Sequence, residues 1–180
     1  MHGLVSILDP LHSKLVESLW HELETECGLA GIKTTPFPHF SWLIAEDFDW
    51  PGVEIALQDA LAGMHPFRVR TTGVALFTGP APVIYVPLVR TRALSELHEG
   101  LWARTQSHGI GMSPLYSPER WMPHITLAYG DTNIQTLQCV MERLSERIYN
   151  WEIEIDNLAL IYQITGQVGA LRAKYELEKG

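Results

Sequence analysis

The chain has 180 residues, of which 46% are hydrophobic, and its 13 basic and 21 acidic side chains give a formal net charge of −8. This length and hydrophobic content fit one domain with a buried core. The deficit of Lys and Arg argues against a protein that grips long duplex nucleic acid, and no apolar run approaches membrane-span length. The first ten residues lack the basic start and the long apolar run of a signal peptide.

The first half of the chain alternates between strand and helix patterns. After a short apolar strand at 4–8, Asp9 and Pro10 supply an N-cap and a first-turn proline, and leucines at helical spacing continue to Gly28. The remaining elements expected in this half are a strand at 38–45, a helix from about Pro51 to Met64 and a strand at 67–77.

The second half repeats this order. Its expected elements are a strand at 83–89, a helix from about Thr91 to Gly109, a strand at 124–129, a helix over Leu137–Ile148 and a strand at 151–162. One more strand, at 170–177 within a closing segment 168–177, has no counterpart in the first half.

Corresponding features of the two halves lie 81 to 85 residues apart, which indicates an internal duplication. We therefore predict an α+β fold, a single two-lobed domain over 1–180 built from β-α-β-α-β repeats at about 1–80 and about 81–165. Antiparallel sheets would meet at a central cleft on a pseudo-twofold axis. Gly73 and Asn157 hold equivalent places in the repeats, and both residue types adopt left-handed backbone easily, so a bulge is expected at each.

A Pro-His-apolar-hydroxyl-apolar pattern occurs once in each repeat, as PHFSW at 38–42 and PHITL at 123–127. Alternate residues of a strand share a face. His39 and Ser41 should therefore point one way while Phe40, Trp42 and Ile44 enter the core, and His124 and Thr126 should share a face in the same manner.

Two such strands, paired across a pseudo-twofold axis, would bring two imidazoles and two hydroxyls into one small volume. This set suits displacement at phosphorus: one imidazole removes a proton from the attacking group, and the other donates a proton to the leaving oxygen. Ser41 and Thr126 would donate hydrogen bonds to the non-bridging phosphate oxygens. The pattern leaves open which histidine is the base.

Other chemistries fit the two motifs less well. Zinc needs three or four ligands, and neither motif has a Cys, Asp or Glu at ligand spacing, so we predict no metal and no other cofactor. Ser41 has no nucleophile-elbow context and is matched by Thr126, which favours two binding hydroxyls over a nucleophile.

The segments PHFSW, MPHITLA, PFRVRTTG and VIYVPLV resemble those of the two-histidine phosphoesterases, in particular the LigT-like branch named for 2′-5′ RNA ligases. The resemblance covers nearly the whole chain. It implies a bilobal α+β fold with an antiparallel sheet lining a cleft in each lobe. It also implies catalysis without metal by His39 and His124, with Ser41 and Thr126 on the phosphate. The chain departs from the family where it continues Ala128-Tyr129-Gly130, since LigT-like members often have a basic residue just after the second motif.

The resemblance implies a phosphodiesterase that opens 2′,3′-cyclic phosphates of small nucleotides or RNA 3′-ends to the 2′-phosphate. Two alternatives stay open: a 2′-5′ RNA ligase or 2′-5′ phosphodiesterase using the same site, and a non-catalytic module that binds a nucleotide or RNA end. The expected partner is a small nucleotide or RNA 3′-end, with neither long duplex nucleic acid nor a membrane, and we expect a monomer.

Three further residues are weaker candidates for substrate binding. Tyr85 and Trp121 could stack on a base or pack in the core or at its rim, and Arg120 could contact phosphate or simply be solvated. The segment from Pro66 to Arg120 holds six arginines against three glutamates, which is compatible with a local anion site or with scattered surface charge.

The two cysteines, Cys27 and Cys139, lack the spacing of a metal or redox motif. We read them as buried thiols of a protein in the reducing cytoplasm, rather than as part of a disulfide framework.

Overall fold

The computed structural model describes residues 1–164 and 166–178; residue 165, the last of the predicted second repeat, lies outside them. The helices are α1 (Pro10–Cys27), α2 (Trp50–Leu61), α3 (Arg92–Thr105) and α4 (Ile134–Leu144). The strands are β1 (His2–Ile7), β2 (His39–Ala45), β3 (Asp47–Phe48), β4 (Phe67–Arg70), β5 (Ala75–Phe77), β6 (Val83–Pro87), β7 (Gly109–Ile110), β8 (His124–Ala128), β9 (Glu152–Ile155), β10 (Asn157–Tyr162) and β11 (Ala170–Glu176). This confirms the predicted α+β class.

Seven strands form one antiparallel sheet in the order β11-β10-β1-β2-β8-β6-β5. The two motif strands, β2 and β8, lie side by side at its centre, where Phe40 pairs with Ile125. The resemblance implied a separate sheet in each lobe, whereas here the two half-sheets are continuous through this narrow pairing. The histidine strands are therefore neighbours in a single sheet.

The two halves of the chain exchange elements across the sheet. β5 pairs with β6 of the second half, and β10 pairs with β1 of the first. Behind the sheet, α1 contacts β8 and α3 contacts β2. Each motif strand is thus supported from behind by a helix of the other half. Of the described helices, none is long and apolar enough to cross a membrane.

The ends of α1 follow from its sequence. The Asp9 side chain accepts a hydrogen bond from the backbone N–H of His12, and Pro10 occupies the first turn, as expected of an N-cap. Gly28 ends the helix with a left-handed backbone, φ 72°, and its N–H bonds to the preceding turn.

Two long predicted strands are each divided. The strand expected at 67–77 separates into β4 and β5. Gly73 lies between them with a left-handed φ of 57°, so the strand is broken there and does not continue through the predicted bulge. The strand expected at 151–162 separates into β9 and β10 at Asp156. These breaks let β4 and β9 pair with each other in a separate ribbon, while β5 and β10 stay in the central sheet.

The predicted bulge at Asn157 is wrong: Asn157 pairs in regular register with Glu176, and the register shift between β10 and β11 falls later, between Leu160 and Ile161. Nor is its backbone left-handed, since every described residue with positive φ is glycine. Asn157 acts through its side chain instead. Its amide donates to the carbonyl oxygen of Ile7 at 2.8 Å, and its Oδ1 accepts from the Ile7 N–H at 2.9 Å. This buried pair fixes the end of β1 that lies opposite His39.

The expected core position of Ile44 also needs correction. The pairing of β1 with β2 shifts register between Leu4 and Val5, which face Leu43 and Ser41 respectively. The resulting irregularity at Trp42 reverses the alternation, so Leu43 is fully buried and Ile44 is only half-buried.

The expectation of two free thiols is wrong, since Cys27 and Cys139 form a disulfide with their Cα atoms 5.8 Å apart. Cys27 ends α1 and Cys139 lies in α4, two helices that pack against each other. Two ion pairs join the same parts of the chain: Glu26 of α1 pairs with Arg143 of α4, and Glu22 of α1 pairs with Arg147, which follows α4. The cytoplasmic location was predicted from the two cysteines being unpaired thiols, and the disulfide takes away that basis.

Candidate active site

The four motif side chains share one face of the central sheet. His39 and Ser41 are half-buried on either side of the fully buried Phe40, and His124 and Thr126 flank Ile125 in the same way. Extending the Phe40–Ile125 pair by one residue in each direction sets His39 opposite Thr126 and Ser41 opposite His124. All four motif residues therefore lie next to the Phe40–Ile125 pair, two on each strand.

The two imidazoles are held by the same local device. Nδ1 of His39 lies 2.7 Å from the carbonyl oxygen of Phe37, and Nδ1 of His124 lies 2.7 Å from that of Met122. Because a carbonyl only accepts hydrogen bonds, Nδ1 is the protonated nitrogen in both rings. A proline stands between each carbonyl and its histidine, and its restricted backbone holds this turn. Nε2 is left with the lone pair in each neutral ring.

Burial lowers the pKa of both histidines below 6.5. For His39, the hydrogen bond to Phe37 opposes this shift and the charge of His124 adds to it. For His124, the bond to Met122 opposes the effect of burial. Both rings are therefore neutral at neutral pH in the free protein, ready to accept a proton, while an anion bound between them would favour the protonated form.

Two buried indoles fix the main chain of the hydroxyl residues from behind. Trp121 Nε1 donates to the carbonyl oxygen of Ser41 at 2.9 Å, and Trp20 Nε1 donates to that of Thr126 at 3.0 Å. Trp20 belongs to α1 of the first half, and Trp121 precedes the second motif. Each half thus anchors the motif of the other.

Trp121 leaves no ring face for a base. It is 1% exposed, and it stacks on His98 with ring centroids 3.9 Å apart and on Trp42 with centroids 5.4 Å apart. The substrate contact considered for Trp121 is therefore not available in this structure, and its role is to support the Ser41 backbone.

An aromatic wall adjoins His124. Tyr85 lies opposite Thr126, and its ring centroid is 5.0 Å from that of His124 and 4.2 Å from that of Phe77. Tyr85 is 3% exposed, so it packs behind the imidazole, while Phe77 is half-buried and meets His124 edge-on at 5.1 Å. Phe77 was not singled out from the sequence, because nothing in GVALF marks its last residue as lying beside a motif.

The surroundings of His39 are aliphatic. Val5 lies opposite Ser41 and Ile7 lies opposite His39, and with Ile161 and Phe37 they form a small apolar cluster on this side of the sheet. These apolar neighbours account for the desolvation that lowers the pKa of His39.

Most of the arginines considered for an anion site have partners elsewhere. Arg68 pairs with Glu152, Arg92 with Glu96, and Arg104 bonds within α3. Arg90 donates to the carbonyl oxygens of Trp121 and Pro118 and to Ser95, so it secures the loop before the second motif. Arg120 is exposed on this loop, and its phosphate contact stays a prediction.

No group of three or more potential metal ligands occurs in the described ranges 1–164 and 166–178. A cavity of about 340 Å³ lies apart from the motifs, and its lining is mainly apolar. The lining comes from β4, the segment just before it, the segment between β6 and α3, and the start of α3. The two histidines and the two hydroxyl residues of the motifs lie on the sheet face where β2 pairs with β8, not in this cavity.

The fold is similar to those of several solved structures. The E. coli LigT complex with 3′-AMP is 14% identical, with a TM-score of 0.61 over 99% of this chain and 98% of that chain. The protein TT0787 of Thermus thermophilus is 18% identical, with a TM-score of 0.59 over 99% of both chains. A third structure, described as a phosphoesterase, is 14% identical, with a TM-score of 0.61 over 99% and 98%.

No curated protein matches the sequence significantly. The family model of the 2′-5′ RNA ligase superfamily, however, matches residues 11–167, a range that includes both motifs. Together with the paired His-x-Ser and His-x-Thr strands, this match places the chain in the 2′-5′ RNA ligase superfamily of two-histidine phosphoesterases.

Proposed function

We propose that this protein is a metal-independent phosphodiesterase that hydrolyses 2′,3′-cyclic phosphates by acid-base catalysis with His39 and His124. The observation that carries the proposal is the matched state of the two rings. Both present an Nε2 lone pair while Nδ1 is held by a carbonyl, and both lie on one sheet face with Ser41 and Thr126.

In the proposed reaction, Nε2 of one histidine takes a proton from water as the water oxygen attacks phosphorus. The bond from phosphorus to the 3′-oxygen breaks, and Nε2 of the other histidine, protonated beforehand, donates its proton to that oxygen. The product is the 2′-phosphate, and each proton transfer contributes about 10²–10⁴-fold. Ser41 and Thr126 donate hydrogen bonds to the non-bridging oxygens as charge accumulates.

The charge of the chain favours a small substrate. A net charge of −8, together with arginines that are already paired, provides little basic surface for a long nucleic acid. LigT structures contain 3′-AMP, ATP and NADP⁺, which supports a nucleotide or the terminal nucleotide of an RNA as the ligand here. The half-buried Phe77 beside His124 is an aromatic surface on which a base can stack.

The same residues would also support ligation through a 2′-5′ linkage, in which a ribose hydroxyl replaces water as the attacking group. The test is therefore turnover of the four nucleoside 2′,3′-cyclic monophosphates and of a short RNA with a 2′,3′-cyclic end, in excess EDTA. His39→Ala and His124→Ala are compared with wild type, and His21→Ala, on the exposed side of α1, is the control.

We expect hydrolysis to the 2′-phosphate that resists EDTA, is lost in both motif variants and is retained in the control. Joined or 2′-5′-cleaved RNA without hydrolysis of the cyclic ends would favour the ligase alternative. Binding without any turnover by a folded wild type would favour a non-catalytic module and overturn the proposed enzyme.

A further inference from the structure

The disulfide joins the two parts of the chain that adjoin the histidine strands. Cys27 is the last residue of α1, from which the chain runs directly to His39 at the start of β2. Cys139 lies in α4, the first helix after the strand that carries His124. The bond therefore links the connection that enters the first motif strand to the helix that follows the second.

A carboxylate joins the same two connections closer to the site. Oδ2 of Asp131, between β8 and α4, accepts hydrogen bonds from the backbone N–H groups of Ala30 and Gly31, at 2.7 Å each. Further along this segment, the carbonyl oxygen of Phe37 holds Nδ1 of His39. The backbone that orients the His39 ring is thus attached to the chain around α4 in two places, at the disulfide and at Asp131.

The two helices depend on the disulfide to different degrees. The apolar side chains buried by α1 are Val16, Leu19, Trp20 and Leu23, whereas α4 buries only Val140 and Leu144. The ion pair between Glu26 and Arg143 also joins the helices, but both side chains are exposed, and such pairs stabilise weakly. Loss of the disulfide should therefore leave α1 in place and loosen α4 together with Asp131.

A small thiol can reach the bond. Cys27 and Cys139 are half-buried, and their chain neighbours Glu26 and Gln138 are exposed. In thiol–disulfide exchange, a thiolate of a dithiol attacks one cysteine sulfur and displaces the other cysteine, and the second thiol then displaces the first cysteine. Two electrons pass to the protein, the two protons of the dithiol end on Cys27 and Cys139, and the reductant leaves as a disulfide.

We propose that Cys27–Cys139 is a reversible redox site through which a dithiol lowers the activity of the two histidines. Reduction releases α4 and Asp131 from α1 and loosens the Phe37 carbonyl that orients His39. The oxidised protein is the active form. The effect on activity rests on the phosphodiester chemistry proposed above, whereas the release of α4 does not.

Hydrogen exchange, thiol labelling and turnover are compared in oxidised protein and in protein treated with dithiothreitol, without denaturant. The chain has no other cysteines, so thiol labelling reports this bond alone. We expect reduction to speed exchange at 28–38 and 129–144 while β1 and β10 stay protected. The kcat/KM for a 2′,3′-cyclic nucleotide should fall about tenfold, because small misplacements of a catalytic group are costly.

Two variants serve as controls of this path. The Cys27→Ser, Cys139→Ser double variant should resemble reduced wild type and should not respond to dithiothreitol. Asp131→Ala removes the second link while the disulfide stays. Reduction should impair this variant more than wild type, because neither link between the two connections then remains.

Labelling of the cysteines only in urea would show a structural cross-link and overturn the proposal. Loss of protection throughout the central sheet would do so too, as would unchanged turnover after reduction or equal effects of reduction in wild type and Asp131→Ala. If oxidised wild type binds inorganic phosphate but hydrolyses no cyclic substrate, the proposed function fails. In that case exchange at 28–38 and the phosphate affinity of the two redox forms still decide the role of the disulfide.

Discussion

His98 makes the stability of this fold depend on pH in a calculable way. Its side chain is 1% exposed, stacks on Trp121 and donates from Nε2 to the carbonyl oxygen of Trp42 at 3.0 Å. Burial lowers the pKa of His98 from 6.5 to about 4. In the unfolded chain the imidazole is solvated, and its pKa returns to about 6.5.

The sign follows from the protons that each state binds. Between pH 6.5 and about 4, the unfolded chain binds more protons at His98 than the folded chain does, so a fall in pH favours unfolding. The stabilisation is fully present above pH 6.5 and is lost as the pH falls through about 4. At about 1.4 kcal/mol per pKa unit, the free energy of unfolding should lose about 3 kcal/mol from this residue by about pH 4.

Urea unfolding at about pH 7.5 and about pH 4 measures this loss. His98→Gln keeps an N–H donor near the Trp42 carbonyl but does not titrate, so its unfolding free energy should fall by about 3 kcal/mol less than that of wild type. His21→Gln is the matched control, because the side chain of His21 is 77% exposed. Equal pH dependence in all three proteins would refute the assignment of the low pKa to burial of His98.

Three further predictions concern the disulfide, the catalytic pair and the loop before the second motif. Reduction of the disulfide, or the substitution Cys27→Ser, should lower the free energy of unfolding by about 2–5 kcal/mol, because the bond closes a long loop. Urea unfolding midpoints with and without dithiothreitol measure this loss. A Cys27→Ser midpoint that still shifts with reductant would contradict the prediction. Burial lowers the pKa of both His39 and His124, so the bell-shaped pH profile of kcat/KM should have its maximum below pH 6.5. The profile of kcat should peak at higher pH, because the bound phosphate favours imidazolium. A kcat/KM maximum at alkaline pH would count against His39 and His124 as the acid and base. Arg90→Lys should lower kcat/KM about tenfold, because lysine cannot make the three directed hydrogen bonds that hold the loop before the second motif. Arg92→Lys, at an exposed ion pair, is the control and should have no effect. Equal kinetics in both variants would refute the role of Arg90 in holding this loop.

Much of the architecture could be predicted from local patterns. The helix caps at Asp9 and Gly28 were readable because each residue type meets a definite backbone requirement at a helix end. The placement of His39 with Ser41 and of His124 with Thr126 on one face follows from strand alternation alone. The prolines that precede the histidines were visible too, although their connection to the Nδ1 hydrogen bonds emerges only from the structure.

What sequence reasoning missed depends on contacts between distant segments. Cys27 and Cys139 are 112 residues apart, and only the packing of α1 on α4 brings them together. Asn157 was expected to act through its backbone, but the approach of Ile7 gives its side-chain amide two partners and no need for a left-handed conformation.

The most direct test of two-histidine catalysis is the rate of 2′,3′-cyclic AMP hydrolysis by His39→Ala, His124→Ala and the double variant in excess EDTA. If both imidazoles act in one displacement, either single substitution should reduce kcat by at least about 10²-fold. The double variant should then be far less impaired than the product of the two single losses predicts. Single losses that multiply in the double variant, or a single variant with near wild-type kcat, would contradict the proposed mechanism.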